Sequence, residues 1–282
     1  MTRVGNWGRW GPADERGAIN LLGPAEVRAA TGLVRDGVVV PLAQPINRQT
    51  PMPSHRIAPA HFMDRDGADA TRSAPFGFAD DTLMLATHTG THLDALAHVW
   101  SEDTLYNGFP SGSITSRGAR HCGIDRVPPL VGRGVLLDLA ATLGQLPAGR
   151  EITAAELERA ATDAGVELQP GDLVLLRTGW WPRAGGTATY FDGEPGPGPA
   201  AAAWLAAADI AVVGADNYAV EALPAEQFPV HRLLLRDHGV PILEGLDLEA
   251  LAATGRTAFL LVISPLPLVG ATASPVNPVA VL

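Results

Sequence analysis

Six short apolar runs, rich in Val, Ile and Leu and cut off by Gly, Pro or polar residues, constrain the fold of this 282-residue chain most strongly. They read "VVVPLA" from 38, "TLMLATH" from 82, "GVLLDLA" from 134, "DLVLLRT" from 172, "DIAVVGAD" from 209 and "TAFLLVIS" from 257. Each has the length of a strand. Helical stretches lie between several of them. "TAAELERAATDAG" opens on Thr153 with Glu156 three positions on, a capping box, and stops at Gly165. "PAAAAWLAAA" from 199 starts with Pro, and "DLEALAATG" from 247 ends with Gly. Strands interleaved with helices predict an α/β fold with a mostly buried sheet. With no internal repeat, residues 1–282 are expected to form a single domain, with 1–35 as an N-terminal arm. "RAGGTATYFDGEPGPGPA", 183–200, has the composition of a surface loop or lid, and 44–78 is a second long irregular segment.

Composition removes several classes of chemistry. All 20 basic residues are arginine, which excludes a Schiff-base lysine, a P-loop lysine and a Ser-Lys dyad. Cys122 is the only cysteine, so no internal disulfide and no Cys-rich zinc site can form. The G-x-S-x-G nucleophile elbow is missing. A formal charge of −10 argues against nucleic-acid and anionic-membrane partners. No apolar run approaches the roughly 18 residues of a membrane span. The first residues lack the apolar core of a signal peptide, so a cytoplasmic location is expected.

The chemistry concentrates in "ATHTGTHLDALAHVW", residues 86–100, which holds three of the eight histidines, His88, His92 and His98, together with Asp94. On a regular helix Asp94 would point away from His88 and His92. On one strand all four would share a face but span about 33 Å, too far for one ion. Gly90 offers a break. The expected path is a strand ending at His88, a tight turn, a loop through His92 and Asp94, and a helix from Asp94 presenting His98. Two imidazoles and a carboxylate with open positions suit Zn²⁺, Mn²⁺ or Fe²⁺. Such an ion polarises a carbonyl and lowers the pKa of bound water to about 7.

The pattern His-x-Gly-Thr-His-x-Asp-x-x-x-His resembles the signature of the cyclase-type metal-dependent hydrolases, which include bacterial kynurenine formamidases and isatin hydrolases. The resemblance extends through "WGPADERGAIN", "LYNG", "GDLVLLRTGWW", "VGADN", "HRLLLRDHGVPILEGLDLEAL" and "SPVNP". It implies a swivelling β/β/α fold with a mixed, largely buried sheet and a divalent metal, Zn²⁺ or Mn²⁺, as one ion or two. It also implies a homodimer or higher homo-oligomer. By the motif, His88, His92 and Asp94 are metal ligands and His98 is the acid/base. His231 and Glu244 resemble the residues that complete a two-metal centre, with His238 as a competitor to His231. Gly245 stands where asparagine often follows the glutamate.

The function expected is hydrolysis of a small cyclic amide, lactone or N-acyl or N-formyl substrate, with metal-activated water as nucleophile. The alternatives are a metal-dependent biosynthetic cyclase or dehydratase without net hydrolysis, an Fe²⁺ oxygenase, and a metal-stabilised binding protein. Phe62, Trp100 and Tyr106 are candidates to line an apolar pocket for a planar ring. Asp216 and Asn217, at the end of a strand, suit a turn or the orientation of a ligand histidine. Arg177, inside an apolar strand, suits an internal ion pair.

Overall fold

A computed structural model of the chain describes residues 5–68 and 76–282. Nine strands form one mixed sheet: β1 (Val39–Pro41), β2 (His92–Asp94), β3 (Leu130–Asp138), β4 (Leu173–Arg177), β5 (Val212–Ala215), β6 (Ile242–Glu244), β7 (Ala258–Ile263), β8 (Ala273–Pro275) and β9 (Val279–Val281). Their order is β1-β9-β7-β3-β4-β5-β6-β2-β8. The central neighbours β3, β4, β5 and β6 run parallel. Both flanks are antiparallel.

Parallel neighbours need long crossovers, and helices supply the first two here. α1 (Ala154–Asp163) joins β3 to β4, and α2 (Pro199–Ala207) joins β4 to β5. The expected capping box of α1 is formed: Thr153 Oγ1 accepts from the Glu156 amide, and Glu156 accepts from the Thr153 amide. Side chains alternate across a strand, so each strand feeds two apolar layers. Val135, Leu137, Val174, Leu176 and Val213 pack against the helices. Leu136, Leu173, Leu175 and Val212 pack on the opposite face with Phe259, Leu93 and Leu243. That assignment already orients the edge of the sheet. Because Leu93 and Leu243 belong to the second layer, their neighbours His92, Asp94 and Glu244 face the side of the helices.

Four of the expected strand positions match sheet strands closely, at 134, 172, 209 and 257, and "VVVPLA" supplies β1. Two expectations need correction. The run at 82 lies outside the large sheet: Asp80–Met84 pairs with Ala60–Arg65 as a separate hairpin whose residues are mostly exposed. The segment 183–200 is a surface loop only in its first part, for Gly193–Gly198 is buried throughout. Gly196–Pro197 pairs with Glu151–Ile152, and a Cβ on Gly196 would lie 2.1 Å from the carbonyl oxygen of Val220. Glycine there permits close backbone approach, which composition alone reads as a loop. No helix among the described residues is long and apolar enough to cross a membrane.

Candidate metal centre

β2 and β6 are antiparallel neighbours in which His92 lies opposite Glu244 and Asp94 opposite Ile242. Directly opposed residues have Cβ atoms about 4.5–5.5 Å apart, and residues two apart on a strand share a face. Three-residue strands therefore bring an imidazole and two carboxylates together. His92 Nε2 lies 3.1 Å from Glu244 Oε2 and 3.6 Å from Asp94 Oδ1. All three residues are buried.

Turns on either side of β2 deliver the other two histidines. Gly90 has φ of +57°, and its carbonyl accepts from His92 Nδ1 at 2.8 Å, which leaves Nε2 as the free lone pair. His88, before the turn, places Nε2 3.2 Å from Asp94 Oδ1. After β2 the chain turns again, with the His98 amide donating to the Ala95 carbonyl. His98 then sets Nε2 3.7 Å from Asp94 Oδ2 and Nδ1 3.1 Å from His88 Nε2. The bend at Gly90 is as expected, but the elements are reversed. His88 lies in a turn and His92–Asp94 is the strand, while His98 follows a turn instead of sitting on a helix. Gly245 completes the corner at φ +65°, where a Cβ would stand 2.7 Å from the Gly90 carbonyl oxygen. A side chain such as asparagine there would require the Gly90 carbonyl to move.

His231 comes from the helical segment after Phe228. Its Nε2 is 3.2 Å from Glu244 Oε1 and 3.9 Å from Asp94 Oδ2. Its Nδ1 donates to Glu221 Oε1 at 2.5 Å, and Glu221 also accepts from the His231 amide at 3.0 Å. His238 belongs to neither set of clustered donor atoms and does not line the cavity beside them, so the competitor is not at the centre. Burial would lower the His231 pKa, but Glu221 and Glu244 outweigh it and push it up to about 10. The position thus favours a positive charge at Nε2, whether proton or metal ion. For His88, burial and then the neighbouring His98 and His92 hold the pKa well below the ordinary value, so the ring is the neutral, lone-pair form. Burial pushes Asp94 up, with His98 pulling it back. Glu244 is held below the usual carboxylate range because His231 and His92 outweigh its burial.

Among the described residues both Asp94 oxygens are buried without a hydrogen-bond partner, and so is His92 Nε2, whose lone pair faces the Glu244 carboxylate while Nδ1 carries the proton. An isolated buried carboxylate is strongly unfavourable, whereas a divalent cation compensates it. The donors form two overlapping sets that share Asp94, one of His88, Asp94 and His98 and one of His92, Asp94 and Glu244. Within each set the ligand atoms lie within 4.8 Å of one another. Mixed imidazole and carboxylate donors fit a divalent ion such as Zn²⁺ or Mn²⁺.

A cavity of about 560 Å³ opens onto His98, His231 and Glu244. Trp100, Tyr218 and Phe228 form aromatic walls, and Arg56 and Arg232 bring positive charge. Of the expected aromatic residues only Trp100 lies on this wall. Tyr106 is fully buried and its hydroxyl donates to Asp14 Oδ2, while Phe62 sits on the exposed hairpin. Asp216 orients no histidine; it accepts from the Thr178 amide and hydroxyl and from the Gly179 amide. Asn217 ties the same corner through Pro195 and Val220. Arg177 forms the expected ion pairs, with Asp138 and Glu249. Sequence reading passes over Glu221, Tyr218, Phe228, Arg56 and Glu194. Glu194 accepts from the Tyr218 and Ala219 amides and so fixes one cavity wall.

The model of the family described as putative cyclase matches residues 40–222. An isatin hydrolase of Roseibium aggregatum is 27% identical over 278 residues, covering 94% of this chain and 95% of that protein. A kynurenine formamidase of Salinibacter ruber is 31% identical over 198 residues, covering 70% and 77% respectively. A crystal structure described as a novel cyclase is similar with a TM-score of 0.94 and 38% identity, covering 99% of this chain and 98% of that one. A family match over residues 40–222, with one relative aligned nearly end to end and another 31% identical over 70% of the chain, places the chain in the cyclase family of metal-dependent hydrolases.

Proposed function

We propose that the chain hydrolyses the acyl C–N or C–O bond of a small cyclic amide, lactone or N-formyl compound at this centre. The observation that carries the reading is the buried Asp94 carboxylate, whose two oxygens lack hydrogen-bond partners amid imidazole nitrogens. His88, His92, Asp94, His231 and Glu244 would hold the metal, one divalent ion or two, with Asp94 common to both groups of donor atoms. When bound, a divalent ion polarises a carbonyl and makes water acidic enough to react near neutral pH.

The protein's own groups do the rest. Glu221 fixes the His231 ring so that Nε2 faces the centre. Trp100, Tyr218 and Phe228 suit a planar ring laid against the cavity wall. His98 borders both the cavity and Asp94, and burial lowers its pKa, so its neutral ring can accept a proton. It then passes that proton to the leaving nitrogen or oxygen, a contribution of about 10²–10⁴-fold in typical cases. In His98→Ala the metal should remain while turnover collapses. Unchanged turnover removes His98 from the mechanism, and loss of metal with the ring reassigns it to the ligand set with His88 and Asp94.

The description of the family as cyclases keeps one alternative, Lewis-acid ring closure or dehydration without net hydrolysis. A panel of lactams, lactones and N-formyl anilines separates the two, since a cyclase releases no acid from any of them. The half-exposed Phe62, Met63, Leu83 and Met84 of the hairpin support the expected homo-oligomer, which sedimentation checks.

A further inference from the structure

Arg56 stands out on the cavity wall. Its guanidinium lies over the Tyr218 ring, 5.5 Å from the centroid, and Nη1 donates to the His88 carbonyl at 3.2 Å. It is half-buried and has no carboxylate partner among the described residues. In a chain with 30 acidic residues and a net charge of −10, an unmatched guanidinium in a cavity is conspicuous. Other partly buried arginines are matched: Arg177 by Asp138 and Glu249, Arg150 by Glu156. Arg232, on the same cavity wall, is likewise without an acid among the described residues. Among the described residues the cavity lining contains a single carboxylate, Glu244, which is turned toward His92 and His231 at 3.1 and 3.2 Å.

A guanidinium carries five N–H donors in a planar fork. One contact to a carbonyl and one aromatic face hold it at the cavity wall and leave further N–H donors for a ligand. The fork matches a carboxylate in a bidentate pair, the stronger kind of charged hydrogen bond. An amino-acid zwitterion would also need an anion for its ammonium group, and the lining offers no free one. We propose that Arg56 anchors a carboxylate on the substrate, so that the cavity selects a planar mono-anionic acid over a neutral ring or a zwitterion. This rests on the hydrolase reading above for which bond is cut, but not for what is bound.

Two measurements on the metal-loaded full chain test it. The first is calorimetric binding of benzoate, methyl benzoate and phenylglycine. Wild type should bind benzoate best, and Arg56→Met should weaken benzoate by about 10- to 100-fold, the usual scale for losing a charged hydrogen-bonded pair. Arg56→Lys keeps the charge without the fork and should retain part of the affinity, provided melting shows both variants folded. The second is kcat/KM for 2-formamidobenzoate against its methyl ester, where Arg56→Met should collapse the preference for the acid mainly through KM. Equal losses on acid and ester, or losses in kcat alone, would assign Arg56 to the reacting carbonyl and overturn the proposal. So would benzoate affinity that depends on the metal and not on Arg56, or phenylglycine binding as tightly as benzoate. If wild type cleaves neither formamide, the hydrolase reading fails while the binding comparison still decides Arg56.

Discussion

Two strand ends of the same sheet hold charge in opposite ways, one partly exposed and paired, the other buried. After Leu176, Arg177 makes four hydrogen bonds of 2.7–3.0 Å to Asp138 and Glu249, one to each carboxylate oxygen. At the β2–β6 corner, Asp94 is fully buried with both oxygens unmatched. Folding alone favours the first arrangement, because an unpaired buried charge costs several kcal/mol, about 3–5 when one partner of a buried pair is removed. The second is relieved when a cation that arrives after folding supplies the missing charge. The contrast separates a structural ion cluster from a binding site on physical grounds.

The sharpest way to break this contrast is Asp94→Asn. Metal content should fall to near zero and turnover by on the order of 10³-fold or more, as expected for loss of a Lewis acid worth several kcal/mol. The metal-free variant should melt no lower than metal-free wild type, since an uncompensated charge has gone. A lower melting temperature would mean that Asp94 is structural. Glu221→Gln comes next. It keeps the shape but loses the charge behind His231, and metal affinity should drop about 10–100-fold by competition with a chelator. Unaltered affinity would place His231 outside the ligand set.

Arg177→Met probes the other strand end. It leaves Asp138 and Glu249 without a counter-charge, and their partial exposure limits the loss to about 1–3 kcal/mol in denaturant unfolding. Metal stoichiometry should be unchanged, and any change would erase the distinction between the two ends. The smallest effect belongs to Asp172, an acid that burial raises from 3.8 to about 6 even though the Gln169 amide and Arg133 lower it. A raised folded-state pKa contributes stability that is complete below about 4 and lost as pH rises through about 6. Asp172→Asn should therefore gain on wild type between those two pH values, and parallel stability curves would refute the assignment.

The same contrast explains what the sequence could reveal. β3, β4, β5 and β7 were legible because four to nine residues of apolar pattern announce a strand with both faces covered. β2 and β6 have three residues each, too few to show a period of two, and their polar residues disguise a buried strand as a loop. His88, His92, Asp94 and His98 were nevertheless readable, since their short spacing around Gly90 limits how far apart they can lie. Glu221 was not. Its pairing with His231 depends on a loop after β5 folding back, and ten residues of irregular chain carry no periodic signal. Gly193–Gly198 misled for a related reason: glycine marks a tight backbone approach as readily as an exposed turn.

The central claim is that the unmatched atoms of Asp94 and His92 await a cation. An anomalous-scattering map of crystals of the active protein, recorded at the absorption edge of its bound metal, tests it most directly. The account predicts density at coordination distance, about 2.0–2.2 Å, from an Asp94 oxygen and at least one imidazole nitrogen of the cluster. A protein that turns over with no anomalous density at Asp94 would contradict it.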